Sequence, residues 1–263
     1  MKRFVAALAM LGALCGGASA ADLAARPYVK APPPPAPAYN WTGFYIFGGG
    51  GGGLWAADQH IQETGSQIPL SIDQRQGGSG WFGTVGLGYD WQFNTSWVAG
   101  VFADGQFGSI RGTLQDPTPG FGITGTQKLE DSWAVGARFG WLVAPNVLSY
   151  VNAGYSGAHF GQTNFLDLAG NTVGAHLASY NKNGWFAGGG VENSLSIFGF
   201  NWPGLFMKTE YRAAFYNTRT ASELFDGTNL PAGNDIRFNN WNQTILTSLV
   251  YRFNWTGSAV PHY

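Results

Sequence analysis

From Trp41 onward, apolar residues alternate with small or polar ones at a period of two. Trp81, Val85, Leu87, Tyr89 and Trp91 lie on one face of a run whose other face is Phe82, Thr84, Gly86, Gly88 and Asp90. Trp97, Ala99, Val101, Ala103 and Phe107 oppose Asp104 and Gln106. The same rhythm recurs at 133–141, 185–192, 205–215 and 241–253. Alternation of this kind marks half-buried strands. Two further strands are expected at 45–55 and 147–160. The first contains six consecutive glycines, Gly48 to Gly53, which hide its faces. In the second, Tyr150, Tyr155 and Phe160 do not share one parity. The pattern therefore predicts an all-β, eight-stranded, antiparallel up-and-down transmembrane barrel, with the even strand number of bacterial single-chain barrels.

The connections alternate in length. Gln92 to Ser96 and Ala144-Pro145-Asn146 are short, whereas 56–79, 108–131, 161–183 and 216–240 are long and polar. Short turns on one side and long loops on the other are the outer-membrane arrangement, with the long loops outside the cell. The segment 193–204 is longer than a periplasmic turn should be. It reads as strand ends closed by Pro203-Gly204.

Aromatic placement separates a membrane barrel from a soluble one. One end of the strands carries Trp41, Trp91, Trp97, Trp141, Tyr150, Phe198 or Trp202, and Phe253 or Trp255. The other end carries Trp55, Trp81, Phe107, Trp133, Phe160, Trp185, Phe215 and Trp241. Ten residues of tilted strand climb about 25 Å, the height of a lipid-facing band. Tryptophans at both edges of that band sit where the ring is half apolar and the N–H stays wet. A soluble sandwich is the alternative, but the partners of these rings on the opposite face are small or charged and would give it a core of Asp104, Arg138, Glu192, Lys208 and Glu210.

Composition narrows the class further. Only 11% of residues are charged, glycine reaches 40 residues and aromatics 16%. Lys2 and Arg3, the apolar run 4–14 and Ala18-Ser19-Ala20 form an export signal expected to be cleaved after Ala20. Cys15 falls inside it, so the mature chain has no cysteine for a disulfide or a thiolate metal site. Without Lys2 and Arg3, 12 bases face 15 acids, which is no footprint for nucleic acid. The Pro-rich stretch within 21–40 cannot feed a strand ladder and is expected to be a periplasmic linker. The barrel is expected over 41–255 and a loose tail over 256–263, with Phe253 closing the last strand.

With apolar residues facing lipid, the charged face points into the lumen. Asp90, Asp104, Glu192 and Glu210 balance Arg138, Lys208, Arg212 and Arg252. An eight-stranded barrel leaves an interior only just filled by side chains. The balance predicts a lumenal polar network that plugs the barrel; a narrow porin-like ion path is the alternative. Inward glycines such as Gly86, Gly88, Gly136, Gly188 and Gly190 are expected to make room for the long bases.

Several stretches together resemble a known family: Ala-Asp-Leu-Ala-Ala-Arg-Pro-Tyr at 21–28, the Pro-rich stretch, and Trp41-Thr42-Gly43-Phe44-Tyr45. Others are 85–92, Gly184-Trp185 with Gly190-Val191-Glu192, and the closing Val250-Tyr251-Arg252-Phe253. They are similar to the small outer-membrane β-barrel proteins of alphaproteobacteria, the rhizobial and Brucella surface antigens with an OmpA-like barrel. The resemblance implies an abundant, surface-exposed envelope protein, with some members known as haem-binding or host-interaction factors. This chain departs from the family at Phe102, where an acid is common, and in the ten residues after Phe253.

Enzymatic chemistry finds little support in the sequence. Gly48 to Gly53 lacks the Lys-Ser/Thr of a phosphate loop. His60, His159, His176 and His262 show no metal-site spacing, and no cofactor is expected. His159 with Ser156 or Asp167 is the one candidate hydrolytic pair, near the outer rim. Expected partners are outer-membrane lipid and lipopolysaccharide, the barrel assembly machinery through the last strand, and an external ligand or host surface.

Overall fold

A computed structural model describes residues 39–116, 122–199 and 202–253. The export signal, the Pro-rich stretch 31–37 and the tail 256–263 lie outside them. No helix among the described residues is long and apolar enough to cross a membrane.

The strands are β1 (Gly43–Glu63), β2 (Gln74–Gln92), β3 (Trp97–Asp116), β4 (Ile123–Ala144), β5 (Val147–Phe160), β6 (Thr163–Asp167), β7 (Thr172–Leu177), β8 (Tyr180–Ser194), β9 (Leu205–Tyr216), β10 (Arg219–Phe225) and β11 (Pro231–Phe253). All pairings are antiparallel. β1 pairs with β2 on one side and β11 on the other, so the sheet closes. The closed ring runs β1-β2-β3-β4-β5-β8-β9-β11 and contains eight strands.

The three extra strands continue this ring outward. β5 and β6 run in succession along β4, up to Phe160 opposite Leu129 and then Phe165 opposite Gly125. β7 and β8 return along β6 and β5. β9 and β10 run in succession along β11. The molecule is thus eight long strands, three of them interrupted at 161–162, 178–179 and 217–218. The segments expected as long loops are largely strand, and true turns are confined to hairpin tips. One such tip closes where Asp167 Oδ1 accepts from the Ala169 and Asn171 amides.

The expectation of loops failed because the polarity inverts. Within the membrane band apolar residues face out, as Ile245, Leu249 and Tyr251 do on β11, while Thr244, Ser248 and Arg252 face in. Farther out on the same strand Phe238 and Ile236 face in and Arg237 faces water. The strand parity never changes; the solvent does. A contrast tuned to apolar-outward strands vanishes at that boundary.

The aromatic edges divide. Trp81, Phe107, Trp133, Trp185 and Phe215 are exposed at the outer edge, and Trp91, Trp97, Trp141 and Phe253 at the inner. Trp41, Trp55, Tyr150 and Phe160 point inward instead, and Trp41 and Trp55 are each 1% exposed against 80% for Trp81. The cause in β1 is the glycine run, which carries the parity of Tyr45 and Phe47 unbroken to Trp55. At Gly51 a Cβ would strike the Ile245 carbonyl and lie 2.7 Å from the Leu246 Cα, so only glycine lets β1 coil this closely on β11. The segment 193–204 leaves β8 at Ser194 and does not continue as extended strand. Its described part holds a 3₁₀ turn, Leu195–Phe198, capped by the Ser194 hydroxyl and ended by Gly199 at φ 86°.

Candidate functional site

The lumen is built in three levels. Nearest the short turns lie Asp90 from β2, Arg138 from β4, Glu192 from β8 and Arg252 from β11. Arg138 donates from Nε to Asp90 Oδ1 at 2.8 Å, from its second terminal nitrogen to Asp90 Oδ2, and to Glu192 Oε2 at 3.0 Å. Arg252 donates to Glu192 Oε1 at 2.7 Å, to Asp90 Oδ2 at 2.7 Å and to the Trp41 carbonyl at 3.2 Å. Two acids and two bases make a neutral ring. The Tyr45 ring lies between the guanidiniums, 4.4 Å from Arg138 and 4.9 Å from Arg252. Trp41, Phe206 and Tyr39 close this end, with Trp41 and Phe206 centroids 5.0 Å apart.

The second level joins Asp104 from β3 to Lys208, Glu210 and Arg212 from β9. Arg212 grips Asp104 with two bonds of 2.9 and 2.7 Å and reaches Glu210 at 2.8 Å. Lys208 lies 3.9 Å from Glu210 and 3.2 Å above the Phe47 ring. Tyr150 ties the levels together: its hydroxyl donates to Glu210 at 2.8 Å while its ring faces Arg138 at 5.1 Å. This ring is also neutral. The third level is an aromatic cap of Trp55, Phe160, Tyr180 and Phe238, with neighbouring centroids 4.9–6.1 Å apart. Lys182 sits beneath it, donating to the Phe238 carbonyl and to Asn240 Oδ1.

All eight charged residues singled out from the sequence are buried here and form these two rings. An unpaired buried charge costs several kcal/mol, so neutrality ring by ring is what makes such a lumen tenable. The sequence reading missed the aromatic half of the lumen. Tyr45 lies over Gly88, Phe47 over Gly86, and Phe186 over Gly136 and Gly154, so these glycines seat rings rather than bases. The rings then carry the cations, as Phe186 and Phe102 do for Arg212. Tyr150 and Phe160, out of parity with Tyr155, were the available signal. Lys182 had none, lying in a stretch read as loop.

The hydrolytic candidates do not meet. Ser156 points inward and donates to the Trp133 carbonyl, whereas His159 lies on the outer face against Asn181 and Glu130. Asp167 is at a hairpin tip, bonded to Asn171, which holds its carboxyl below the usual range. Among the described residues no cluster of His, Cys, Asp or Glu could hold a metal ion.

No family model matches the chain. It is 27% identical over 225 residues to the 31 kDa outer-membrane immunogenic protein of Brucella melitensis, spanning 83% of this chain and 86% of that one. The same protein of Brucella suis matches equally. The chain is an outer-membrane β-barrel protein. Solved barrels align over most of its length at low similarity. OprG of Pseudomonas aeruginosa is 13% identical with a TM-score of 0.46, covering 81% of this chain and 98% of that one. Neisserial surface protein A is 13% identical with a TM-score of 0.38, covering 81% and 98%. As the similarity to the Brucella protein indicates, the barrel resides in the outer membrane of a Gram-negative envelope, with its hairpin tips on the side opposite the short turns.

Proposed function

We propose that this barrel is a structural and interaction protein of the envelope that does not conduct and does no catalysis. The observation that carries the reading is the lumen, occupied at three successive levels by interlocked side chains. A conducting path would have to open both neutral rings and the aromatic cap. The outer half instead serves display. Its tips carry exposed Ile68, Leu70, Ile72, Leu168 and Leu230, apolar groups that water disfavours and a partner can cover. The Brucella relative is named as an immunogenic protein of the outer membrane, which agrees with tips raised this way. Residues 21–40 serve as a periplasmic linker, and β11 engages the assembly machinery. Planar-bilayer recording from purified monomer tests the reading. No steady conductance is expected; a large, stable conductance overturns it in favour of a narrow channel.

A further inference from the structure

Four basic residues of the outer half occupy one level. Arg75 on β2, Arg111 on β3, Lys128 on β4 and Arg237 on β11 each lie four to six residues beyond the girdle aromatic of their strand: Trp81, Phe107, Trp133 and Trp241. At strand rise and tilt that is about 10–15 Å above the aromatic edge. Farther out, residues 61–74, 112–127, 161–181 and 220–236 hold seven acids and neither Lys nor Arg. The bases face outward, and their strands, with β1, are consecutive in the ring: β11, β1, β2, β3, β4.

One feature of this arc is costly without an anion. Arg111 stands directly opposite Lys128 across the β3–β4 ladder, a like-charge pair that weakens a sheet. Arg237 stands opposite His60 across β11–β1. Among the described residues neither Arg111 nor Arg237 has a salt-bridge partner; Arg111 donates only to the Ser109 hydroxyl at 2.7 Å. Lys128 has Glu130 at 3.4 Å, an exposed pair that yields easily. Arg75 is held by Asp58 at 2.7 Å, whose carboxyl it keeps below the usual range, and so frames the arc rather than opening it.

We propose that this arc binds the phosphates of glycolipid headgroups in the outer leaflet. Arg111 and Lys128 share one phosphate, and Arg237 takes a second. Trp81, Phe107 and Trp133 below them rest against the acyl chains. Guanidinium forks match phosphate oxygens, and from this level the long basic side chains reach down to the headgroups, where the girdle rings lie. The inference rests on the outer-membrane reading and adds to it a lipid class and its ligands.

The full chain is reconstituted in phosphatidylcholine vesicles containing either bisphosphorylated or dephosphorylated lipid A, then extracted, and retained lipid is measured by mass spectrometry. Wild type should retain the phosphorylated form about tenfold more, the scale of one or two charge-assisted bonds. R111Q/K128Q/R237Q should lose that preference, and E63Q, at an acidic tip, should keep it. Heat-modifiable gel mobility reports folding separately, and R111Q and R237Q singly replace the triple variant if it fails to fold. Equal retention of both lipids overturns the proposal. So does full displacement by millimolar inorganic phosphate, which would make the site one for free anion. Failure of wild type to insert at all would instead overturn the outer-membrane reading beneath it.

Discussion

Arg138→Met isolates the energetics of the inner ring. Arg138 makes three hydrogen bonds, two to Asp90 and one to Glu192, and rests against two tyrosine rings. Its removal leaves Asp90 and Glu192 sharing Arg252 alone, a net charge of minus one inside a closed wall. Breaking a buried pair from one side costs about 3–5 kcal/mol. With a urea dependence of about 1–3 kcal/mol per molar, the unfolding midpoint should fall by one to several molar. D90N/R138M removes one charge of each sign and restores neutrality. Its cost should be less than the sum of the single costs by about 0.5–3 kcal/mol, the coupling expected of groups in contact. Unfolding from vesicles, followed by tryptophan fluorescence and gel mobility, reads all three variants. Additive costs, or a midpoint for Arg138→Met within error of wild type, would mean that water screens these charges. The lumen would then be hydrated rather than plugged.

Gly88→Leu should destabilise by about 1–3 kcal/mol, because the new side chain enters the space of the Tyr45 ring; an unchanged midpoint would show that the ring is not seated there. Deleting 256–263 should leave heat-modifiable mobility intact, while deleting 245–263 should abolish it, since the second removes the part of β11 that closes on β1. If the short deletion alone blocks assembly, Phe253 is not the terminal signal. On intact cells, Ile68→Cys should react with an impermeant thiol reagent and Ala36→Cys should not; the reverse pattern inverts the topology. Asp167 has a depressed folded-state value, so its contribution to the β6–β7 hairpin is present above the ordinary carboxylate range and lost as pH falls through the lower value. Amide exchange at Asn171 should therefore stay slow down to that range and quicken only in stronger acid.

What could be read from the sequence was the part with strong contrast. Trp81 to Trp91 and Ile245 to Phe253 alternate cleanly because one face meets lipid and the other meets charge. The balance of eight lumenal charges was legible for the same reason, since parity alone sorts Arg138 and Glu192 from Val135 and Val191. Residues such as Gln59, Gln62 and Gln127 defeated the reading. They are polar yet buried inside the outer half, so neither face of their strands stands out. Trp41 and Trp55 misled because a tryptophan at a strand end reads as a girdle residue whichever way it points, and six glycines removed the parity that would have decided. Lys128 and Arg237 were legible as charges. Their alignment at one height became visible only once the ladders set the strands in register.

The inversion of polarity along β11 gives the barrel a waterline. Trp241 still belongs to the lipid edge, and Phe238 already packs inward as part of the cap. Raising the barrel by two residues, about 5 Å, would lift apolar groups out of lipid around the whole ring. Sinking it by as much would drag Asn239 and then Arg237 toward hydrocarbon. A bilayer can instead thin or thicken locally at a fraction of a kcal/mol per ångström. In a membrane of the wrong thickness this protein should therefore hold its height and deform the lipid, staying moored at one depth while its neighbours adjust.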